Sequence, residues 1–236
     1  LAGTDNPNPE MIAALEERYG LNKSIPEQFM MYLQNLSQGN FGFSYLSGRP
    51  VMDMIAEKVV PSLLLTLTAA IFSVTTGTLL GLHAARNNGK PFDKFMCSIS
   101  YFFDAIPSFW LGIMNILVFA SLLKWFPTNG MINVRAGYTG FKRSLDIAYH
   151  LVLPVFTLVA VQSPFYFRIA RASVIQILAE DFITTFRAVG MSEGQIFTNY
   201  VLKNAIIPTV TVFGMSLAYM ITGAAQMDGA ILVVSA

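Results

Sequence analysis

Four long stretches of this sequence carry almost no charge. Residues 59–82, 147–167 and 205–227 contain no Asp, Glu, Lys or Arg, and residues 96–123 contain only Asp104. A helix needs about 20 apolar residues to cross the hydrocarbon core of a bilayer, because unpaired backbone groups are costly in lipid. The sequence therefore predicts four membrane-spanning helices.

Composition excludes several other classes of protein. Charged residues make up 12% of the chain, about half of the roughly 25% that is usual for a soluble globular protein. The 15 basic and 14 acidic residues nearly cancel, so there is no basic field to attract nucleic acid. With one cysteine and two histidines, the chain cannot form an internal disulfide, and we predict no metal site.

The N-terminal quarter of the chain differs from the rest. Residues 1–58 are polar, and we interpret them as an arm outside the membrane with short helices, followed by a membrane domain over residues 59–236. Apolar residues on one side of residues 9–20 predict a surface helix in the arm. The chain opens with Leu1, and the apolar end, residues 229–236, is too short to span, so we expect at least one further flanking helix.

The segment between the third and fourth stretches, residues 168–204, has the signals of ordered structure. Asp181 stands where a short helix would begin, and acidic residues favour the positive end of a helix. Gly190 can take the left-handed turn that ends it, and Ser192 with Gln195 forms a capping-box pattern for the next helix. The segment therefore predicts a helix, a break, a short helix, a glycine turn and a new helix.

The same segment resembles a known family. The string DFITTFRAVGMSEGQIFTNYVLKNAIIPTVTVFG is similar to the "EAA" loop of the membrane subunits of ABC importers, in the branch for dipeptides, oligopeptides and nickel. Phe186 stands where that branch usually has alanine. The residues that match its pattern in order are Asp181, Phe182, Thr185, Arg187, Ala188, Gly190, Met191, Ser192, Asn204, Ala205 and Pro208.

Other segments resemble the first, B-type, permease subunit of these systems. They are EERYGLNKSIPEQF and QGNFGFSY in the arm, IPSFWLGI at residues 106–113 and WFPTNG at residues 125–130. Asp104 departs from the family, which usually has a small or apolar residue there. The stretch after Gly223 also departs from it, because the expected acidic residue, aromatic residue and Pro-Gly pair are missing.

The resemblance implies an all-α, polytopic transmembrane helix bundle of the type I ABC importer permease kind. It would have an external N-terminal arm and a cytoplasmic coupling helix within residues 168–204. Its place would be the cytoplasmic membrane of a bacterium or archaeon. The residues expected to couple to an ATPase are Asp181, Phe182, Thr185, Arg187, Ala188, Gly190, Met191 and Ser192.

The resemblance also implies partners. A second homologous permease subunit would complete the pathway, two ATPase subunits would supply energy, and an extracytoplasmic binding protein would deliver short peptides. ATP and magnesium would belong to the ATPases, because this sequence has no G-x-x-x-x-G-K-[ST] loop. We therefore predict a non-catalytic subunit that binds no cofactor of its own, with lipid as its other contact.

Two alternatives stay open at this point. The first is an ion-coupled secondary transporter, which would predict inverted repeats and paired membrane charges, and we find neither in the sequence. The second is the same importer role with nickel or another small solute as substrate. An intramembrane enzyme is not supported, because the sequence has no H-E-x-x-H motif and no convincing G-x-S-x-G motif.

Polar residues inside the predicted spans are candidates for the translocation path. A carboxylate at a helix centre costs on the order of 3 kcal/mol, so Asp104 is one candidate and Gln162 another. The other interpretation of Asp104 is a protonated or hydrogen-bonded carboxyl facing the interior of the bundle. We expect the hydroxyls of the first span, among them those of Thr66, Thr68 and Thr76, to join neighbouring helices.

Overall fold

The structure is a computed structural model that describes residues 22–44 and 47–234, with side chains up to residue 219. It divides into two compact units, one of residues 61–222 and one of the described residues on either side of that range. The helix that the sequence predicts at residues 9–20 lies outside the described residues. Apart from an isolated bridge between Phe43 and Pro50, the regular structure of the described residues is helical, and the predicted all-α fold is confirmed.

Eight α-helices are described, with short π and 3-10 segments between some of them. They are α1 (Ile25–Ser37), α2 (Val51–Arg86), α3 (Pro91–Ala105), α4 (Ser108–Asn115), α5 (Gly140–Leu178), α6 (Asp181–Ala188), α7 (Glu193–Ile196) and α8 (Leu202–Val234). A π-helix, Ile116–Leu122, continues α4, and another, Phe197–Val201, joins α7 to α8.

Within the first unit, α1 is a short surface helix with a defined start. Its N-cap is Ser24, whose backbone N–H donates to a carboxylate oxygen of Glu27 at 3.1 Å. This hydrogen bond is one half of a capping box. A capping box satisfies backbone N–H groups that have no hydrogen-bond partner inside the first turn of a helix. Near the start of α2, Arg49 and Glu57 form an exposed ion pair.

Among the described residues, three stretches of helix are each long and apolar enough to cross a membrane, and a bent pair of helices could supply a fourth span. The three stretches are Val51–Arg86, Gly140–Leu178 and Glu193–Tyr219, and they include the first and third predicted spans and part of the fourth. The first two helices extend beyond the uncharged stretches and include polar residues on both sides of them. The third stretch combines α7, the π-helix and the beginning of α8.

The second predicted span, residues 96–123, is not one straight helix. Helix α3 and the helix that begins at Ser108 meet at an angle of 96°. Between them Ile106 is extended, with φ −84° and ψ 127°. Proline disfavours the α conformation in the residue before it, so Pro107 explains the position of the bend.

Two glycines bring α2 and α5 into close contact within the second unit. A Cβ atom on Gly77 would lie 2.5 Å from the carbonyl oxygen of Ser163, and one on Gly81 would lie 2.5 Å from that of Phe167. Small residues four positions apart let the backbones of membrane helices approach closely. Only glycine fits these two positions without moving a backbone.

Three hydroxyls of α2 do not have the role that we expected. Those of Thr66, Thr68 and Thr76 each donate to the carbonyl oxygen four residues earlier in the same helix, at 2.6–2.8 Å. The expectation was wrong for these three because a helix offers its own carbonyls to Ser and Thr. A buried side-chain hydrogen bond between helices is instead made by Asn115, whose amide donates to the Thr157 hydroxyl at 2.9 Å.

Candidate functional site

The segment between α5 and α8 has the local structure that its sequence predicts. Helix α5 ends at Leu178, α6 begins at Asp181, and Gly190 has a left-handed φ of 84°. The backbone N–H of Gly190 donates to the carbonyl of Arg187 at 3.1 Å. Glycine permits the left-handed backbone conformation of this turn, and a backbone hydrogen bond stabilises it.

Helix α6 is held by a buried isoleucine. Ile183 is fully buried and packs in a hydrophobic cluster, which we name the coupling core. The other buried members come from the ends of the long helices and from α7 and the π-helix after it, and they are Ala85, Val174, Ile196, Val201 and Ala205. The short helix is thereby fixed to α2, α5 and α8 at once.

Aromatic rings pack along one side of α6. The Phe186 ring lies 4.1 Å from the Tyr200 ring between centroids, with the planes tilted by 33°. The Phe182 ring lies 5.9 Å from that of Phe186 in an edge-to-face arrangement. Phe186, the residue that departs from the family pattern, therefore fills space against Tyr200 and the coupling core.

An ion pair spans the turn after α6. The Nε of Arg187 donates to one carboxylate oxygen of Glu193 at 2.7 Å, and its Nη2 donates to the other at 3.2 Å. The hydrogen bond to Glu193 raises the pKa of Arg187 above its usual value. The capping box is present too, since the backbone N–H of Gln195 donates to the Ser192 hydroxyl at 3.3 Å and the backbone N–H of Ser192 donates to the Gln195 side-chain oxygen at 3.2 Å. Both contacts restrain the turn.

The outer side of α6 is exposed. Asp181, Thr185 and Ala188 are exposed, Phe182 is 38% exposed, and Val189 is 71% exposed. Of the other residues expected to couple to an ATPase, Arg187, Gly190 and Ser192 are exposed, while Met191 is half-buried against the coupling core. Ile183 was not among the predicted coupling residues, although its spacing of three from Phe186 is that of one helix face.

Glu193→Gln is expected to loosen the turn after α6. The substitution removes the negative charge but keeps the size of the side chain, and an exposed ion pair contributes little to stability. We expect hydrogen exchange at the Gly190 and Met191 amides to accelerate by about two- to fivefold. Glu180→Gln is the matched control, and equal exchange rates in both variants would contradict a role for the ion pair.

The two path candidates lie on different helices. Asp104, near the end of α3, forms an ion pair with Arg168 of α5, with 3.1 Å between Oδ2 and Nη1. The side chain of Asp104 is 47% exposed and that of Arg168 is 35% exposed. Gln162 is half-buried on α5. The sequence predicts the helical continuation that carries Arg168, and α5 does run to Leu178. It does not reveal the ion pair, because Asp104 and Arg168 lie 64 residues apart.

A second ion pair, which the sequence analysis missed, lies between the same two helices. Asp93 of α3 is almost fully buried and accepts from Arg171 of α5, at 2.6 Å from Nε and 2.8 Å from Nη2. The backbone N–H of Gly89 donates to the same carboxylate at 2.9 Å. Residues so far apart in sequence have no local pattern that predicts their contact.

Comparison with known proteins identifies the family. The family profile described as "Binding-protein-dependent transport system inner membrane component" matches residues 77–230, from the α2–α5 contact to the far part of α8. The chain belongs to this family. The resemblance that the sequence indicated is therefore confirmed, and the chain is a multi-pass permease component of a transport system.

Three curated relatives show how far the similarity of this permease extends. A probable peptide ABC transporter permease of Sinorhizobium fredii is 34% identical over 214 residues, which are 91% of this chain and 66% of the relative. The glutathione transport system permease of Escherichia coli is 34% identical over 219 residues, 93% of this chain and 67% of the relative. A di/tripeptide transport system permease of Pseudomonas aeruginosa is 31% identical over 238 residues, 95% and 71%. The chain thus spans about two thirds of the length of these permeases.

Proposed function

We propose that this chain is the permease subunit of an ATP-driven, binding-protein-dependent importer of short peptides. It would form half of the translocation pathway, and a second homologous permease subunit would form the other half. Two ATPase subunits and an extracytoplasmic binding protein would complete the complex. The names of the relatives, which include peptide, glutathione and di/tripeptide permeases, support peptides over nickel or another solute. Family membership favours this reading over an ion-coupled transporter.

The observation that carries the coupling role is the two-sided character of α6. Its inner side is anchored through Ile183 in the coupling core, whereas 38% of Phe182, and most of Val189 just after the helix, stay exposed. A small helix held this firmly moves with the long helices to which it is attached. We propose that the outer side docks on an ATPase subunit, with ATP and magnesium bound there and not on this chain.

Docking on an ATPase assigns the two sides of the membrane. Residues 168–204 would be cytoplasmic, together with the α2–α3 turn, and the N-terminal arm would be external. The loop around Val134, between the second and third spans, would then be external too. Val134 is 82% exposed, so it serves as a comparison for Val189.

We also propose that Asp104 and Gln162 face the translocation pathway. Charged side chains in membrane segments face the bundle interior or water, because lipid does not solvate them. Asp104 and Arg168 keep a third to a half of their side-chain surface exposed. That surface would be covered by the second permease subunit or by the water of the pathway.

The test of the docking proposal is Val189→Asp. A charge at the centre of an apolar contact is expected to reduce recovery of the ATPase subunits with the permease by at least about tenfold. Substrate-stimulated ATP hydrolysis by the reconstituted complex should fall with it. The measurement is co-purification of the ATPase subunits from membranes that express all subunits.

Val134→Asp makes the same change in the loop that the proposal places outside. We expect this variant to recover the ATPase subunits as the wild type does. Normal recovery with Val189→Asp would contradict docking at α6, and loss of recovery with Val134→Asp alone would reverse the proposed orientation.

A further inference from the structure

Two ion pairs attach α3 to one face of α5. Asp93, near the beginning of α3, pairs with Arg171, and Asp104, near its end, pairs with Arg168. Residues three apart on a helix lie on the same side, so both arginines of α5 point towards α3. The attachment therefore covers most of the length of α3.

The Asp93–Arg171 pair is the firmer of the two. The Asp93 side chain is 3% exposed, and its carboxylate accepts two hydrogen bonds from Arg171, one from the Gly89 backbone N–H and a longer one, at 3.7 Å, from the Cys97 thiol. Arg171 Nη2 also lies 3.0 Å from the side-chain oxygen of Asn88, to which it donates. One buried carboxylate thus joins the α2–α3 turn, α3 and α5. Breaking such a pair leaves a buried charge without its partner, which is strongly unfavourable.

This pair lies close to the coupling core. Val174, three residues after Arg171 on α5, is fully buried in the core together with Ile183 of α6. Ala85, shortly before the α2–α3 turn, is another member. A displacement of α6 would therefore reach the Asp93–Arg171 pair through one turn of α5 and through the end of α2.

A sharp bend separates the far end of α3 from α4. The chain bends by 96° between Ala105 and Ser108, and the Asp104–Arg168 pair just before the bend is longer and more exposed than the Asp93–Arg171 pair. Helix α3 is thus attached firmly to α5 and is separated by a bend from α4.

We propose that Asp93 and Arg171 are positioning residues that transmit the movement of α6 to α3. Helix α3, the C-terminal part of α5 and α6 then move as one body, which ends at Ile106 and Pro107. The inference rests on the proposed coupling function, because it concerns the route by which ATPase movement reaches the membrane helices.

The first experiment measures the rigid body directly. In the complete complex, Cys97→Ser removes the native thiol but keeps a hydroxyl donor beside Asp93, because the Cys97 thiol lies 3.7 Å from the Asp93 carboxylate. Spin labels are then placed at Ser98→Cys on α3 and Gln176→Cys on α5, both exposed positions. We expect the distance between the labels to stay the same with and without nucleotide. A change larger than the roughly 1–2 Å by which packed helices usually shift would overturn the proposal.

The second experiment removes the joint. Asp93→Asn and Arg171→Lys are expected to assemble and hydrolyse ATP, but to transport at least about fivefold less substrate per ATP, a typical size for a coupling effect. In Asp93→Asn, nucleotide should now change the distance between the labels. Lys94→Gln is the control, because it removes an exposed charge from the same turn of α3, and it should transport as the wild type does.

The outcomes separate this inference from the proposed function. If the wild-type complex shows no substrate-stimulated ATP hydrolysis, the proposed function fails. If the wild type is coupled and Asp93→Asn transports with an unchanged ratio to ATP, the positioning role alone fails. If neither variant assembles, the distance between the labels with the native ion pair intact still decides the question.

Discussion

Gly77→Ala is expected to prevent α2 and α5 from packing as they do in the native protein. The new methyl group would lie 2.5 Å from the Ser163 carbonyl oxygen and 2.8 Å from the Cβ of Tyr166. Overpacking in a core costs about 1–3 kcal/mol, and the cost here lies at the upper end because a backbone atom of α5 cannot rotate away. The measurement is the thermal unfolding midpoint of the detergent-solubilised protein, which should fall by several degrees.

Gly214→Ala is the matched control for this prediction. Gly214 is helical, and a Cβ there meets nothing within 4 Å. Alanine favours a helix over glycine by about 1 kcal/mol, so this variant should unfold at the wild-type temperature or above it. Equal midpoints for the Gly77 and Gly214 variants would show that the close approach of α2 and α5 contributes no stability.

Ile183→Asn is expected to detach α6 while the long helices stay folded. It places an amide in a fully buried apolar position, where a polar group without partners costs about 1–3 kcal/mol in addition to the lost apolar contacts. Hydrogen exchange of the α6 amides should accelerate by at least about tenfold. Substrate-stimulated ATP hydrolysis should be lost with it.

Two other variants bracket the Ile183 result. Ile183→Val removes one methylene, which lowers the free energy of unfolding by about 0.5–1.5 kcal/mol. This variant should keep most of the stimulation of ATP hydrolysis by substrate. Thr184→Asn changes the neighbouring exposed residue and should have no effect. If Ile183→Asn left the exchange of α6 as slow as in the wild type, the coupling core would not be what holds this helix.

The features that could be predicted from sequence are those with local causes. The uncharged stretches predict helices because helix length and the cost of polar groups in lipid are properties of a single segment. The turn at Gly190 and the capping box at Ser192 have equally local signals. The roles of α6 and of the path candidates stay proposals, because they depend on partners that no single sequence contains.

Other features could not be predicted, and for two different reasons. The contact between Asp93 and Arg171 depends on how α3 lies against α5, so the sequence near either residue does not reveal it. By contrast, Pro107 and the spacing of Gly77 and Gly81 were visible signals. Counting uncharged residues shows only whether a segment is apolar. It therefore detects neither the bend at Pro107 nor the close approach of α2 and α5 at the two glycines.

The lengths of α2 and α5 have a consequence for the surroundings of the protein. At 1.5 Å per residue, their 36 and 39 residues extend over about 54 and 58 Å, while acyl chains fill only about 30 Å. Both helices are therefore long enough to extend beyond the bilayer, and the coupling core lies near their ends. Lipids with longer or shorter tails should thus alter how these helices tilt in the bilayer without reaching the contacts that hold α6.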